Sequence, residues 1–396
     1  MDFGLTQEQA QLKEEFEAFF KEEAKRAPEG WMGDEDIYIT DEGWAYHRSV
    51  AKKLAEKGWI SLAWPKEYGG KEHSYIEQLI FQDVKGYYKV PGVDMHSHQI
   101  AAILLTHGSE EMRKEWLPRM ARAEINWAEG YSEPDAGSDL ASVTTRAVED
   151  GDCYVINGQK TWTSGAHRCN YIFLLARTDP NATPKHRGLT FFFCELDRPG
   201  ISMKPVYYMN GAHVFNEVFF DDVRIPKSMI VGEVNKGWYV TMGGRNFARV
   251  RIEAVAMARR DLENLVEFCC ETTGYDGQPL AKDPMVRQKL AQAAIELEAA
   301  RLAAYNVAWI QSKGLDPVAE ASANKYFNTE TIVRFAHSAL EIMGLRGTII
   351  EGSKWAPLHG NFVHLVQFGL GPTIGGGTSD IQKNLIAWRG LNLPRN

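Results

Sequence analysis

Apolar residues recur every three to four positions in LTQEQAQLKEEF, WAYHRSVAKKLAEKG and SEEMRKEWLPRMARAE, with short Gly/Pro breaks such as WPKEYGG between them. That period belongs to amphipathic helices, so the pattern predicts a mostly helical domain over residues 1–127. Thr6 and Gln9 stand three apart at the head of the first stretch, the spacing of a capping box. From residue 128 the texture changes to short runs rich in β-branched and aromatic residues, YVING, YIFLLAR, GLTFFFCEL and EVFFDDVRI, punctuated by NG, DPNATPKHRG and RPG. These runs predict a compact, barrel-like β domain over residues 128–236. Helical periodicity returns in PMVRQKLAQAAIELEAARLAAYNVAWIQ and ANKYFNTETIVRFAHSALEIMG, which predicts a four-helix bundle domain over residues 237–396. The expected fold class is α+β, in the order helices, sheet, helices.

Composition narrows the partners. The 396 residues are 44% hydrophobic and 24% charged, an ordinary globular balance that excludes a disordered chain. A formal charge of -8 argues against nucleic acid or an anionic membrane as a broad partner, because both need clustered Lys and Arg. No uncharged apolar run approaches the roughly 20 residues of a membrane span, so none is expected. Five scattered cysteines, an odd number, with no apolar signal segment, read as reduced thiols and point to the cytoplasm.

A β insert between helical segments makes a cleft where a cofactor can lie, and three stretches carry unusual chemistry. They are Tyr131-Ser132-Glu133-Pro134-Asp135-Ala136-Gly137-Ser138-Asp139-Leu140, Gly158-Gln159-Lys160-Thr161-Trp162-Thr163-Ser164-Gly165-Ala166-His167, and the glycine-rich TIGGGTSDIQ that begins at Thr373. The last is neither a dinucleotide fingerprint, since Asp380 stands where the third glycine should be, nor a Walker loop. In Asp94-Met95-His96-Ser97-His98, Asp94 and His98 would share a helix face while His96 points away, so no metal is expected there.

YSEPDAGSDLAS followed about twenty residues later by NGQKTWTSGAH resembles the acyl-CoA dehydrogenase family. WPKEYGG, FNEVFFDDVRIP, GEVNKGW and GGTSDIQKNLIA resemble further landmarks of that family in their usual order, so the likeness covers nearly the whole chain. The resemblance implies FAD held between the β domain and the C-terminal bundle, a tetramer, oxidation of an acyl-CoA thioester to its enoyl-CoA, and electron-transfer flavoprotein as acceptor. A flavin that accepts hydride gathers negative charge at its pyrimidine edge and calls for N–H and O–H donors there. Tyr131, Ser132, Thr163 and Ser164 are the implied donors, with Ser164 beside N5, and Trp162 lies against one ring face. The Gly137-Ser138 turn serves phosphate or pantetheine, and the stretch from Thr378 to Asp380 packs near the adenosine.

In the family a glutamate at the mouth of the last helix commonly removes the α-proton, and that position here is Gly376. Some members carry the glutamate on the helix after the β domain, in a motif resembling Phe-Glu-Arg; this chain has Asn246-Phe247-Ala248-Arg249. Both positions for the base, Gly376 and Ala248, are therefore empty, and glycine keeps only an N–H able to polarise the thioester carbonyl. Three readings stand: a substitution of Glu by Ala at 248, a carboxylate from elsewhere with Asp94 as the acid nearest the expected acyl pocket, or a non-catalytic subunit of a mixed tetramer. Glu253 is five residues beyond Ala248, faces elsewhere and reads as a paired or solvated charge. Arg249 stays beside the expected thioester site, and the missing side chain at 376 leaves space for a branched or cyclic acyl group. Two departures, Thr273-Gly274-Tyr275-Asp276-Gly277 without the usual arginine and Glu341 where glutamine is usual, resemble the mixed-tetramer branch. A flavin monooxygenase of the same fold, which needs no α-proton base, is the remaining alternative; a homotetramer and a heterotetramer both stay open.

Overall fold

The capping box predicted at the N-terminus forms: Thr6 Oγ1 accepts from the Gln9 N–H while Gln9 returns a bond to the Thr6 N–H. The computed structural model describes residues 4–33, 36–248, 252–274 and 276–395, the side chains of 245–248 excepted. Helices α1 (Gln7–Ala24), α2 (Asp36–Ile39), α3 (Asp41–Glu56), α4 (Tyr75–Tyr87), α5 (Ser97–His107) and α6 (Glu110–Ala121) come first. Strands β1 (Trp127–Gly130), β2 (Arg146–Asp150), β3 (Cys153–Lys160), β4 (Tyr171–Arg177), β5 (Leu189–Glu195), β6 (Ile201–Tyr207) and β7 (His213–Pro226) follow. Then come α7 (Gly237–Ala248), α8 (Ile252–Glu271), α9 (Pro284–Ser312), α10 (Val318–Met343), α11 (Asn361–Ile374) and α12 (Ser379–Leu385).

Packing sorts these elements into two units. One comprises residues 1–36, 73–91 and 249–396, the other residues 37–72 and 92–248. The N-terminal helices are thus shared between the units, a division that helical periodicity alone does not reveal.

In the second unit the strands lie in the order β1-β4-β2-β3-β7-β6, with β5 against the other side of β4. β1 and β4 are parallel, while β2, β3, β7 and β6 run as antiparallel neighbours. Strands β4 and β5 are apolar on both faces because both faces are covered. Phe173, Leu175, Phe191 and Phe193 pack with Ile100, Leu104 and Trp116 of α5 and α6. Ile172, Leu174, Phe192 and Cys194 face inward onto Ile156 of β3 and Val218 and Phe220 of β7. The sheet curls over this inner core, and β1, β5 and β6 each pair on one side only.

In the first unit α8, α9, α10 and α11 make a bundle whose core takes Leu265, Leu297, Phe335 and Phe362, one from each helix. Helix α4 lies on α8 so closely that a Cβ on Gly86 would come 2.5 Å from the Glu253 carbonyl oxygen. The five cysteines form no disulfide. Among the described residues no helix is long and apolar enough to cross a membrane.

Candidate active site

The two motifs that flank the curled sheet are clamped together by a buried ion pair. Lys160, the last residue of β3, has no exposed surface, and its Nζ lies 2.8 Å from Glu133 Oε1 and 3.1 Å from the Tyr131 carbonyl. Glu133 also accepts from the Thr144 N–H and hydroxyl and from the Thr145 N–H, at 2.6, 2.9 and 2.9 Å. Burial alone would raise its pKa, but the Lys160 ammonium and these donors together hold the carboxyl down at about 2. The Thr161 N–H bonds the Ser132 carbonyl at 2.9 Å and completes the clamp. Neither Glu133 nor Lys160 was singled out from sequence; Lys160 is the one lysine of its motif, but Glu133 stands among Asp135 and Asp139, so nothing in the sequence marks it as the partner.

Beyond the clamp the backbone turns into an unusual conformation. Trp162 is held at φ 59°, a left-handed value that bulky side chains rarely adopt, and its ring is 59% exposed, edge-on to Phe215 at 5.6 Å. Thr163 is pinned beside it: its N–H and carbonyl pair with Asn216 of β7 at 3.0 and 3.1 Å, and Asn216 Nδ2 adds a second bond to the same carbonyl at 3.1 Å. The Thr163 hydroxyl is buried and has no hydrogen-bond partner among the described residues. Ser132 and Ser164 are partly exposed beside it. Gly165 closes the turn at φ 63°, where a Cβ would lie 2.2 Å from the Tyr38 ring.

A pair of histidines backs this turn. Asn216 Oδ1 bonds His213 Nε2 at 2.9 Å and Asn216 Nδ2 bonds His167 Nδ1 at 3.1 Å, while His167 Nε2 reaches the Tyr38 carbonyl at 3.0 Å. Because Nδ2 can only donate, His167 accepts at Nδ1 and carries its proton on Nε2. The imidazoles stack at 3.9 Å, and burial, with His213 alongside, lowers the His167 pKa. His167, His213 and Asn216 were not predicted, since they meet only through strand pairing between distant segments.

Two expected positions, Tyr131 and Asp94, make structural contacts. The Tyr131 ring is buried edge-on to Phe173 at 5.3 Å, so what this residue offers the clamp is its carbonyl. Gly137 and Ser138 are exposed as a turn should be. Asp94 accepts from the His96 and Trp127 N–H groups, each at 3.1 Å, and from the Ser97 hydroxyl at 3.4 Å. Burial raises its pKa, but its oxygens are committed to the start of α5 and to β1, which leaves Asp94 an anchor and a poor base. His96 is buried edge-on to Phe173, and no group of three potential metal ligands occurs among the described residues.

In the first unit the glycine loop joins α11 to α12. Gly376 sits at φ 72° with nothing within 4 Å of a Cβ, whereas a Cβ on Gly377, at φ 96°, would meet Gln382 Nε2 at 2.7 Å. Lys325 Nζ holds the loop by the Thr373 and Gly377 carbonyls at 3.1 and 2.8 Å, and Gln382 Nε2 bonds the Gly376 and Gly377 carbonyls at 3.1 and 3.0 Å. Thr378 caps α12 by accepting from the Ile381 N–H, Ser379 bonds Glu330 at 2.5 Å, and Asp380 is exposed. Glu253 pairs with the buried Lys85 at 2.9 Å, and Glu341 pairs with Lys289. Ala248 ends α7; its side chain and the whole of Arg249 lie outside the described residues.

The turn at Trp162 offers an exposed aromatic side chain, a buried hydroxyl without a partner among the described residues and two partly exposed serines, groups that suit a flavin edge. Family models described as the N-terminal, middle and C-terminal domains of acyl-CoA dehydrogenase match residues 6–124, 128–223 and 235–391. Acyl-CoA dehydrogenase FadE26 of Mycobacterium tuberculosis is 32% identical over 407 residues, covering 100% of this chain and 99% of that protein. Acyl-CoA dehydrogenase IpdE1 of the same organism is 34% identical over 361 residues, covering 89% and 90%. Two solved structures, the Tcur3481-Tcur3483 steroid ACAD and the ChsE4-ChsE5 complex from Mycobacterium tuberculosis, each superpose with a TM-score of 0.89 at 33% identity over 100% of both chains. The chain therefore belongs to the acyl-CoA dehydrogenase family, FAD-dependent oxidoreductases that act on the CH–CH bond of acyl-CoA thioesters.

Proposed function

We propose that this chain serves the dehydrogenation of a branched or cyclic acyl-CoA ester, with FAD held at the Trp162 turn and electrons passed on to electron-transfer flavoprotein in the cytoplasm. The observation that carries the reading is Trp162 itself, a large side chain kept exposed on a strained backbone, next in sequence to a buried Thr163 hydroxyl that has no partner among the described residues. When bound, FAD accepts the hydride that leaves the acyl chain. The protein's part is to present the Thr163 and Ser164 hydroxyls to the ring edge, the Gly137-Ser138 turn to phosphate or pantetheine, and Thr378 and Asp380 to the adenosine. Gly376 lends its N–H to the thioester oxygen, and the open space at its missing Cβ admits a bulky substituent. Arg249 assists at the thioester.

Neither Ala248 nor Gly376 can take the α-proton, so in this reading the position of the base is vacant in this chain. A heterotetramer with a related chain is favoured over a homotetramer because both superposed structures named above are two-chain assemblies. In that second reading this chain is the non-catalytic partner. Purification decides between them: a chain that is yellow alone, and whose flavin bleaches anaerobically with a cyclic acyl-CoA, is a dehydrogenase subunit. A chain that is colourless until a partner is added is a supporting one. Ala248→Glu and Gly376→Glu, tested on aliphatic, branched and cyclic acyl-CoA esters, locate the empty base position. We expect a gain in bleaching rate of at least about 100-fold from Ala248→Glu and none from Gly376→Glu, whose left-handed backbone disfavours a side chain. Full turnover by the unaltered chain, with no gain in either variant, would refute the vacancy.

A further inference from the structure

A cleft opens inside the helical unit between α8, α10 and α11, with about 750 Å³ of space counting the part open to solvent. One wall is apolar, formed by Met257, Ala258, Ile332, Leu365 and Phe368. The opposite wall is polar and built with care. Lys89, at the strained φ of 52°, places its ammonium 2.6 Å from Asp261 Oδ1 and 3.3 Å from Asn361 Oδ1, while the Trp31 indole N–H fixes the Lys89 backbone carbonyl at 2.7 Å. Lys89 and Asp261 neutralise each other, so this pair adds no net charge to the wall. Asn328 is 1% exposed; its Nδ2 donates to Asn324 at 3.1 Å, and its Oδ1 has no donor among the described residues. His364, 8% exposed, stacks on Phe368 at 4.4 Å, and its Nδ1 has no hydrogen-bond partner among the described residues, with a Glu351 carboxylate oxygen 3.8 Å away. Asn328 and His364 both line the cleft, and a buried acceptor without a partner asks for a donor.

We propose that this cleft binds an uncharged, ring-sized apolar ligand through a hydroxyl group that donates to Asn328 Oδ1, with the His364 imidazole as the second polar contact. A ketone or ether of the same shape cannot supply that proton, and a carboxylate would set its oxygen against the Asn328 oxygen. The inference rests on the proposed function only for the ligand's identity: with a cyclic acyl-CoA as substrate, the hydroxyl belongs to the acyl ring system.

The test is calorimetric titration of the FAD-loaded protein with 2-decalol and 2-decalone, bicyclic probes that differ in one hydrogen-bond donor. The alcohol should bind on the order of tenfold tighter than the ketone. Asn328→Leu should abolish that preference and leave the ketone's affinity in place, and His364→Phe should weaken the alcohol while its ring keeps the stack on Phe368. Where Asn328→Leu does not fold, Asn328→Ala removes the same acceptor. Equal affinity for the two probes, no binding of either, or a preference that survives the Asn328 substitution would overturn the proposal. Flavin bleaching by the CoA ester of decalin-2-carboxylic acid separates the two inferences: bleaching without alcohol preference sinks the cleft alone, and alcohol preference without bleaching sinks the cyclic substrate alone.

Discussion

Thr163 has a hydroxyl that folding leaves without a partner, and this makes it the sharpest probe of flavin binding. An unpaired buried hydroxyl costs stability, so Thr163→Val, which keeps the shape, should leave the flavin-free protein's unfolding free energy unchanged or raised, by up to about 1 kcal/mol. The same change removes the donor that FAD would use and should weaken FAD binding about tenfold. Equal FAD dissociation constants for the two proteins would show that the hydroxyl faces something else. The sequence made Trp162, Thr163 and Ser164 visible as a motif. It could not show the +59° backbone at Trp162 or the grip of Asn216, because Asn216 lies in a strand 53 residues further on, whose register with the turn is set by folding.

Between elements, the Glu133–Lys160 pair joins the turn after β1 to the end of β3, and its energetics follow from burial. Removing one member strands the other: Lys160→Met should destabilise the protein by about 3–5 kcal/mol, whereas Lys160→Met combined with Glu133→Leu should recover most of that loss. Urea unfolding of the three proteins measures it, and an equal loss in the single and double variants would deny the coupling. The pH dependence has a definite sign. The Glu133 carboxyl falls from an ordinary 4.5 to about 2 on folding, so the native state keeps it ionised more readily than the unfolded chain does. Its contribution, about 3 kcal/mol, is full above pH 4.5 and is lost as the pH falls through 2. Wild-type stability should therefore decline across that window more steeply than that of the double variant. The motifs that carry these two charges were legible one by one; their contact across 27 residues of chain was not.

For the whole molecule, periodicity divides the chain at residues 127 and 236, while packing returns residues 1–36 and 73–91 to the C-terminal helices. The reason lies in α4, whose apolar face is as ordinary a helical pattern as any other in the sequence and does not reveal which helix covers it. Leu79 of α4 completes a core with Ile252 of α8, Ala304, Val307 and Ala308 of α9 and Ala321 of α10. Lys85, almost fully buried, meets Glu253, and the glycine at 86 permits backbone contact with that same residue. The small alanines on α9 and α10 cannot close this core without the larger side chains of α4. The segment 237–396 expressed alone should therefore keep its helical circular dichroism, bind an apolar dye and melt without a sharp transition. Joining residues 73–91 to it should restore cooperative melting, and Gly86→Val in the joined form should abolish it again, because the added side chain collides with the Glu253 backbone. A sharp calorimetric transition from the lone segment would show that α4 decorates the bundle rather than completing it.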